Sequence, residues 1–101
     1  MEEFKVIDRC LMVRMPEEID HYKSSYICEE TDKRIMRENV DHVVFDFEET
    51  RFMDSSGIGI LMGRYKKMQF IGGKVLIIHP DKLITRMLHM AGISRYIEIM
   101  E

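Results

Sequence analysis

Hydrophobic and polar residues alternate in two short segments near the start of the chain. The apolar positions are Phe4 and Val6 in the first segment, and Leu11 and Val13 in the second. Alternation with a period of two is typical of strands that bury one face. Asp8-Arg9 between the segments predicts a tight turn, and Pro16 predicts the end of the second strand.

Apolar residues recur at helical spacing in three longer segments. A first helix is predicted over 20–38, capped by Asp20, with a narrow apolar face. A second helix is predicted over 56–70 and is ended by a pair of glycines. A third is predicted over 80–91, with Pro80 in its first turn and a glycine after its last.

Three further apolar runs, over 42–47, 75–78 and 96–99, predict strands between and after the helices. The nearly continuous run at 42–47 fits an interior strand covered on both faces. The predicted order is β-β-α-β-α-β-α-β. Such alternation predicts a single α/β domain over residues 1–101, with helices packed against a mixed, mostly parallel β-sheet.

Composition and charge exclude several functional classes. The chain has 101 residues, a formal net charge of −3 and 46% hydrophobic residues, which is ordinary for one globular domain. The mild acidity argues against direct binding of nucleic acid, and Arg64, Lys66 and Lys67 are interpreted as a solvated helix face. Neither a signal peptide nor a membrane-length apolar run is present in the sequence, so we expect a cytoplasmic protein without membrane contact.

The chain has two cysteines, Cys10 and Cys28. Their spacing does not suit a metal ligand pair, and both lie in apolar patterns. Two buried free thiols are therefore favoured over a disulfide, which the sequence leaves open. We expect neither a metal site nor a cofactor.

The segment Phe-Met-Asp-Ser-Ser-Gly at residues 52–57 is the strongest candidate for chemistry. Asp54, Ser55 and Ser56 are residue types that cap helices, at the point where the second helix is predicted to begin. The glycine pattern after them does not match a dinucleotide-binding or P-loop motif. No glycine precedes Ser55 at the distance that a nucleophile elbow requires, so no catalytic residue is predicted.

Gly59 and Gly63 lie one helical turn apart in the second predicted helix. Glycine inside a helix costs about 0.5–1 kcal/mol relative to alanine, so a compensating role is expected. One interpretation is close packing of the helix on the sheet. The other is a flat surface, poor in side chains, that is open to a partner beside Ser55.

Several motifs together resemble the anti-sigma factor antagonist family of STAS domains. They are Phe52-Met53-Asp54-Ser55-Ser56-Gly57-Ile58-Gly59, Gly63-Arg64-Tyr65-Lys66, Ile71-Gly72-Gly73, Glu18-Ile19-Asp20-His21, Met90-Ala91-Gly92-Ile93 and the single residue Asp46. The resemblance spans nearly the whole chain and implies a STAS-like fold. Pro16-Glu17 departs from it, because the family usually has a glycine before the acidic residue.

The resemblance implies a phosphorylation switch with Ser55 as the phosphoacceptor. The implied partners are an anti-sigma factor that is also a serine kinase and binds Mg-ATP itself, and a serine phosphatase that resets the serine. The unphosphorylated form would bind the anti-sigma factor and release a sigma factor, and the Gly-Arg-Tyr-Lys match favours a sporulation role over a stress role. The predicted partner-binding residues are Glu18, Asp20, His21, Asp54, Ser55, Ser56, Gly57 and Gly59.

Alternative interpretations of the same residues stay open at this point. Glu18 and Asp20 fit equally well as a solvated acid and a helix cap. The domain as a whole could be a constitutive interaction module without a regulated serine. A small hydrolase that uses Ser55 is a weaker alternative, because no histidine and carboxylate at suitable spacing support that serine.

Overall fold

A computed structural model describes residues 3–100 and shows a five-stranded sheet with three helices. The strands are β1 (Phe4–Ile7), β2 (Cys10–Arg14), β3 (Glu18–Ile19), β4 (His42–Asp46), β5 (Phe52–Met53), β6 (Lys74–Ile78) and β7 (Glu98–Met100). The main sheet has the order β1-β2-β4-β6-β7, with β1 antiparallel to β2 and every other pair parallel. The predicted mixed, mostly parallel α/β sheet is confirmed.

The three helices are α1 (His21–Arg37), α2 (Ser55–Phe70) and α3 (Lys82–Met90), and a short 3₁₀ helix follows at Ile93–Arg95. Each α-helix begins after an aspartate whose carboxylate accepts a backbone N–H of the first turn. The capping residues are Asp20, Asp54 and Asp81. A side-chain acceptor at this position satisfies one of the N–H groups that a helix start leaves unpaired.

The helices cover one face of the sheet. Parallel strands joined in a single direction by right-handed crossovers place all their connecting helices on the same side. The side chains of Leu11, Val13, Val43, Phe45 and Ile77 on that side are fully buried in the core. Val44 points away from this core and does not belong to it. The expectation of a buried interior strand is confirmed, because residues 43–47 are all buried and Val44 is only 8% exposed. On the Val44 side, however, neighbouring strand side chains provide the cover, since the helices pack against the opposite side.

Element boundaries differ from the predictions at two places. Pro80 precedes α3, because Asp81 caps that helix and leaves the proline outside it. Tyr96 and Ile97 lie between the 3₁₀ helix and the last strand, so that strand is shorter than predicted. The predicted turn at Asp8-Arg9 is confirmed, and both residues adopt positive φ, at 50° and 66°.

A second, two-stranded sheet was not predicted from the sequence. β3 and β5 pair in parallel, with Glu18 opposite Phe52 and Ile19 opposite Met53. Two-residue strands carry no hydrophobic periodicity, so a sequence pattern does not indicate them. Their pairing joins the segment before α1 to the segment before α2, and it thereby positions the site described next.

Candidate functional site

The site is built around the first turn of α2. The Asp54 carboxylate accepts a hydrogen bond from the Ser56 backbone N–H at 2.8 Å and another from the Ser56 hydroxyl. The Asp54 backbone N–H donates to the carbonyl oxygen of Ile19 at 3.0 Å. The cap is therefore fixed both to its own helix and to the small β3–β5 sheet.

The two serines of this turn have different surroundings. Ser55 is exposed, and its hydroxyl has no hydrogen-bond partner among residues 3–100. Ser56 is half-buried, and its Oγ lies 2.7 Å from the Oγ of Ser24, a buried residue of α1. Because the Ser56 hydroxyl donates to the Asp54 carboxylate, which only accepts, the Ser24 hydroxyl must be the donor to Ser56.

The hydrogen bonds to Asp54 favour its charged form. The Ser56 hydroxyl, and then the Ser56 backbone N–H, hold the pKa of the Asp54 carboxyl below its usual value, with a smaller contribution from His21. A carboxylate that accepts several hydrogen bonds is harder to protonate. The site therefore carries a negative charge directly beside Ser55 across the neutral pH range.

The other predicted partner-binding residues lie at the start of α1, beside the start of α2. Glu18 is exposed in β3, where it pairs with β5. Asp20 accepts the Lys23 backbone N–H at 2.8 Å as the cap of α1, and it stays exposed. His21 is the first residue of that helix and lies close enough to Asp54 to influence its pKa. The structure thus brings residues 18–21 and 54–56 together.

The glycines of α2 fall into two groups. A Cβ at Gly57 would lie 2.8 Å from the Sδ and 3.3 Å from the Cβ of Met53, so this glycine permits close packing. A Cβ at Gly59 or Gly63 would meet no atom within 4 Å. The close-packing interpretation is therefore wrong for Gly59 and Gly63. The open, side-chain-poor surface is the interpretation that fits their surroundings.

Two exposed aromatic side chains adjoin these segments in the chain. Tyr22 follows His21 and is 85% exposed, and Phe52 stands two residues before Asp54 and is 55% exposed. Aromatic residues of this kind are frequent anchors of protein interfaces. They add apolar area to a surface that is otherwise polar and flat.

An ion-pair cluster between α1 and α2 was missed from the sequence. Asp32 of α1 lies 3.1 Å from Arg64 and 3.1 Å from Lys67 of α2. Only 11% of the Arg64 side chain is exposed, so the interpretation of this residue as part of a solvated helix face is wrong. Asp32 and Arg64 lie far apart in the sequence, so no sequence pattern predicts that they form an ion pair.

His21 is the histidine that lies close to Asp54 at this site. Within residues 3–100, His42, His79 and His89 bond to Asp41, Asp46 and Ser94, and Ser55 bonds to no histidine.

Other features of the described chain bear on the sequence-based predictions. No group of three or more metal-ligating residues was found within residues 3–100. Cys10 and Cys28 are free and half-buried, and burial raises the pKa of the Cys10 thiol. In the same residues, no helix combines the length and hydropathy needed to span a bilayer.

Comparison with known proteins agrees with this architecture. The family model described as "STAS domain" matches residues 3–101. The chain is 33% identical over 91 residues to the anti-sigma F factor antagonist of Paenibacillus polymyxa, covering 90% of this chain and 78% of that protein.

Solved structures share the fold. The anti-sigma factor antagonist SpoIIAA in its unphosphorylated form superposes with a TM-score of 0.86 at 23% identity, over 95% of this chain and 84% of that one. The phosphorylated form of the Bacillus cell fate determinant SpoIIAA gives a TM-score of 0.78 at 23% identity, over 95% and 87% of the two chains. The match of the family model over nearly the full length, together with the Paenibacillus polymyxa relative, shows that this chain belongs to the STAS domain family.

Proposed function

We propose that this protein is an anti-sigma factor antagonist that is switched by phosphorylation of Ser55. The observation that carries the proposal is the exposed, unpaired hydroxyl of Ser55 at the start of α2. Ser56 beside it is committed to Asp54 and Ser24 and is less accessible. The similarity to an anti-sigma F factor antagonist supplies the class of partner.

In the unphosphorylated form, the starts of α1 and α2 form one docking surface for the anti-sigma factor. We assign to it Glu18, Asp20, His21, Asp54, Ser55, Ser56, Gly57 and Gly59. The exposed residues among them are Glu18, Asp20, His21, Ser55 and Gly59. Ser56 and Gly57 support the surface without being exposed on it. Ser56 donates its backbone N–H to the capping Asp54, and Gly57 allows the helix to pack on Met53. Sequestering the anti-sigma factor at this surface would release a sigma factor.

Phosphorylation would change the charge of this surface more than its shape. A phosphate on Ser55 adds about −1.5 to −2 charges at pH 7. The N-terminus of α2 attracts this charge, whereas Asp54, Glu18 and Asp20 repel it. These opposing effects leave little net force to rearrange the fold. In a desolvated interface, by contrast, an unpaired dianion costs several kcal/mol.

The proposed cycle needs two enzymes that act on Ser55. The anti-sigma factor transfers phosphate from its own Mg-ATP, and a serine phosphatase removes it. The protein itself is a binding partner in this cycle and has no catalytic residue. Because the partners regulate transcription, we place the cycle in the cytoplasm. The similarity to an anti-sigma F factor antagonist favours a sporulation role.

Binding measurements with the Paenibacillus polymyxa anti-sigma F factor test the proposal. We expect Ser55→Asp to weaken binding about a hundredfold or more, and Ser55→Ala to retain it, because about 1.4 kcal/mol corresponds to a factor of ten. Ser94→Asp is the matched control, since Ser94 is an exposed serine outside the proposed surface. Equal binding by wild type and Ser55→Asp would instead indicate a constitutive interaction module.

A phosphorylation assay with the same anti-sigma factor and Mg-ATP tests the switch directly. We expect one phosphate per chain, located on Ser55 by mass spectrometry. Ser55→Ala should accept none, although it retains Ser56. Phosphate on Ser56 of the wild type would contradict the assignment.

A further inference from the structure

The face of the main sheet that points away from the helices is here called the open face. Strand alternation places on it the residues between the core positions of each strand. Its apolar members are Ile7, Met12, Val44, Leu76, Ile78 and Met100. None of them belongs to the hydrophobic core cluster, and within residues 3–100 the helices pack against the opposite side.

The open face is apolar along its central row, and the same face also carries Cys10, Arg14, His42, Asp46 and Lys74 on either side of that row. Ile7 and Met100 at its edges are 49% and 50% exposed, Met12, Leu76 and Ile78 are half-buried, and Val44 at the centre is 8% exposed. A contiguous row of apolar side chains across the central strands is more than the isolated apolar residues that monomers usually expose. Something of matching shape and polarity is therefore expected to cover it.

The strand register sets a distinctive charge pattern across this face. One row runs across all five strands in the order Lys5, Met12, Val44, Leu76 and Glu98. Both charged residues are exposed and occupy opposite edges of the sheet. The row is thus positive at the β1 edge, apolar in the centre and negative at the β7 edge.

This pattern is complementary to a second copy of itself. β4 is the central strand of the five. A two-fold axis parallel to β4 therefore places β1 of one copy opposite β7 of the other, and β2 opposite β6. Lys5 then faces Glu98 twice, Met12 faces Leu76 twice and Val44 faces its own copy. A two-fold axis across the strands would instead place Lys5 on Lys5. The charges therefore favour the first arrangement.

We propose that the open face binds a second copy of this chain, with the two sheets stacked about a two-fold axis along β4. Facing sheets pack about 10 Å apart, with strand directions within about 30° of each other. Asp46 at the end of β4 comes near its own copy, which opposes association. The Nδ1 atom of His79 lies 3.2 Å from that carboxylate, within hydrogen-bond distance.

The dimer is expected to be weak. The face is a single small layer, and interfaces below about 1,200 Å² are typical of transient complexes. Surface ion pairs add little affinity, but they determine which arrangement forms. This inference does not depend on the proposed function, because the surface around Ser55 lies at the start of α2 and not on the open face.

Charge reversal tests the arrangement by sedimentation equilibrium on the full chain between about 10 μM and 1 mM. We expect wild type to associate to a dimer, and Lys5→Glu and Glu98→Lys each to raise the dimer Kd about tenfold or more, since each creates two repulsive pairs. Lys33→Glu, a charge reversal at an exposed position of α1, is the matched control and should behave as wild type.

Mixing the two variants distinguishes this dimer from other associations. An equimolar mixture of Lys5→Glu and Glu98→Lys restores both attractive pairs and should dimerise as wild type does. The double variant Lys5→Glu/Glu98→Lys should also recover. A wild type that stays monomeric at 1 mM, single variants that dimerise unchanged, or a mixture that stays monomeric would overturn the proposal.

Discussion

At the scale of single residues, the hydroxyl groups of Ser55 and Ser56 are adjacent in sequence but have different surroundings. The Ser56 hydroxyl links the Asp54 carboxylate to the buried Ser24, whereas the Ser55 hydroxyl faces solvent. Capping propensity does not distinguish these adjacent serines, and it was the family resemblance that singled out Ser55. The distinction arises from Ser24, whose contact with Ser56 crosses 32 positions of the chain.

Alanine substitutions separate the two roles by stability. We expect Ser56→Ala to lower the free energy of unfolding by about 1–3 kcal/mol, because it leaves the buried Ser24 hydroxyl without its acceptor. Ser55→Ala should change it by less than about 0.5 kcal/mol, as is usual for exposed positions. Urea denaturation of both variants at pH 7 measures the difference. Equal losses would contradict the hydrogen-bond network.

Asp54 makes stability depend on pH in a predictable direction. Its pKa is lowered in the folded state, so folding favours the charged form. This contribution is fully present above the unfolded pKa, near pH 4, and is lost as the pH falls through the folded pKa. We expect Asp54→Asn, which still accepts the cap hydrogen bond, to lose less stability between pH 5 and pH 3 than wild type.

Urea denaturation at a series of pH values measures this difference. Glu29→Gln is the control, because Glu29 is an exposed acid on α1 away from the site. Its profile should follow that of wild type. An Asp54→Asn profile as steep as that of wild type would show that other groups determine the acid sensitivity.

At the scale of elements, the helices were predictable and the small sheet was not. Apolar periodicity locates α1, α2 and α3 within a residue or two, helped by the predicted caps Asp20 and Asp54 but not by Asp81, which was not predicted. β3 and β5 have two residues each, which is too short for any period to be visible. Yet their pairing brings residues 18–21 beside Ser55. The resemblance to a family indicated these residues, and the pairing of β3 with β5 explains their proximity.

The glycines of α2 give a prediction in which stability and binding move in opposite directions. Gly59→Ala places a methyl group in open space, so it should stabilise the fold by about 0.5–1 kcal/mol through helix propensity. The same methyl group should weaken binding of the anti-sigma factor at the proposed surface. Thermal unfolding and calorimetric titration measure the two effects.

Gly57→Ala is the internal comparison. Its added methyl group would lie 2.8 Å from the Met53 sulfur, and Met53 is fully buried. Overpacking of this kind destabilises the fold by about 1–3 kcal/mol. This loss exceeds the stabilisation of about 0.5–1 kcal/mol that alanine gives over glycine in a helix. We therefore expect a net loss of stability. Stabilisation by both alanines would mean that Met53 moves aside easily.

At the scale of the whole molecule, the fold class followed from the order of elements, but the open face did not. The nearly continuous apolar run at 42–47 predicts a strand buried on both sides. In the folded chain Val44 is buried, at 8% exposed, but it lies beside the half-buried Leu76 on a face that no described helix covers. Apolar composition shows that a strand surface avoids water, but it does not distinguish cover by a helix from cover by another molecule.

The whole fold should tolerate phosphorylation of Ser55 without rearrangement. The added charge is attracted by the helix terminus and repelled by nearby carboxylates, so neither force dominates. SpoIIAA structures in unphosphorylated and phosphorylated forms both share this fold, with TM-scores of 0.86 and 0.78. We expect amide chemical-shift changes on phosphorylation to be confined to residues 18–24 and 52–60. Large changes in β6 or β7, which lie outside both segments, would instead indicate a conformational switch.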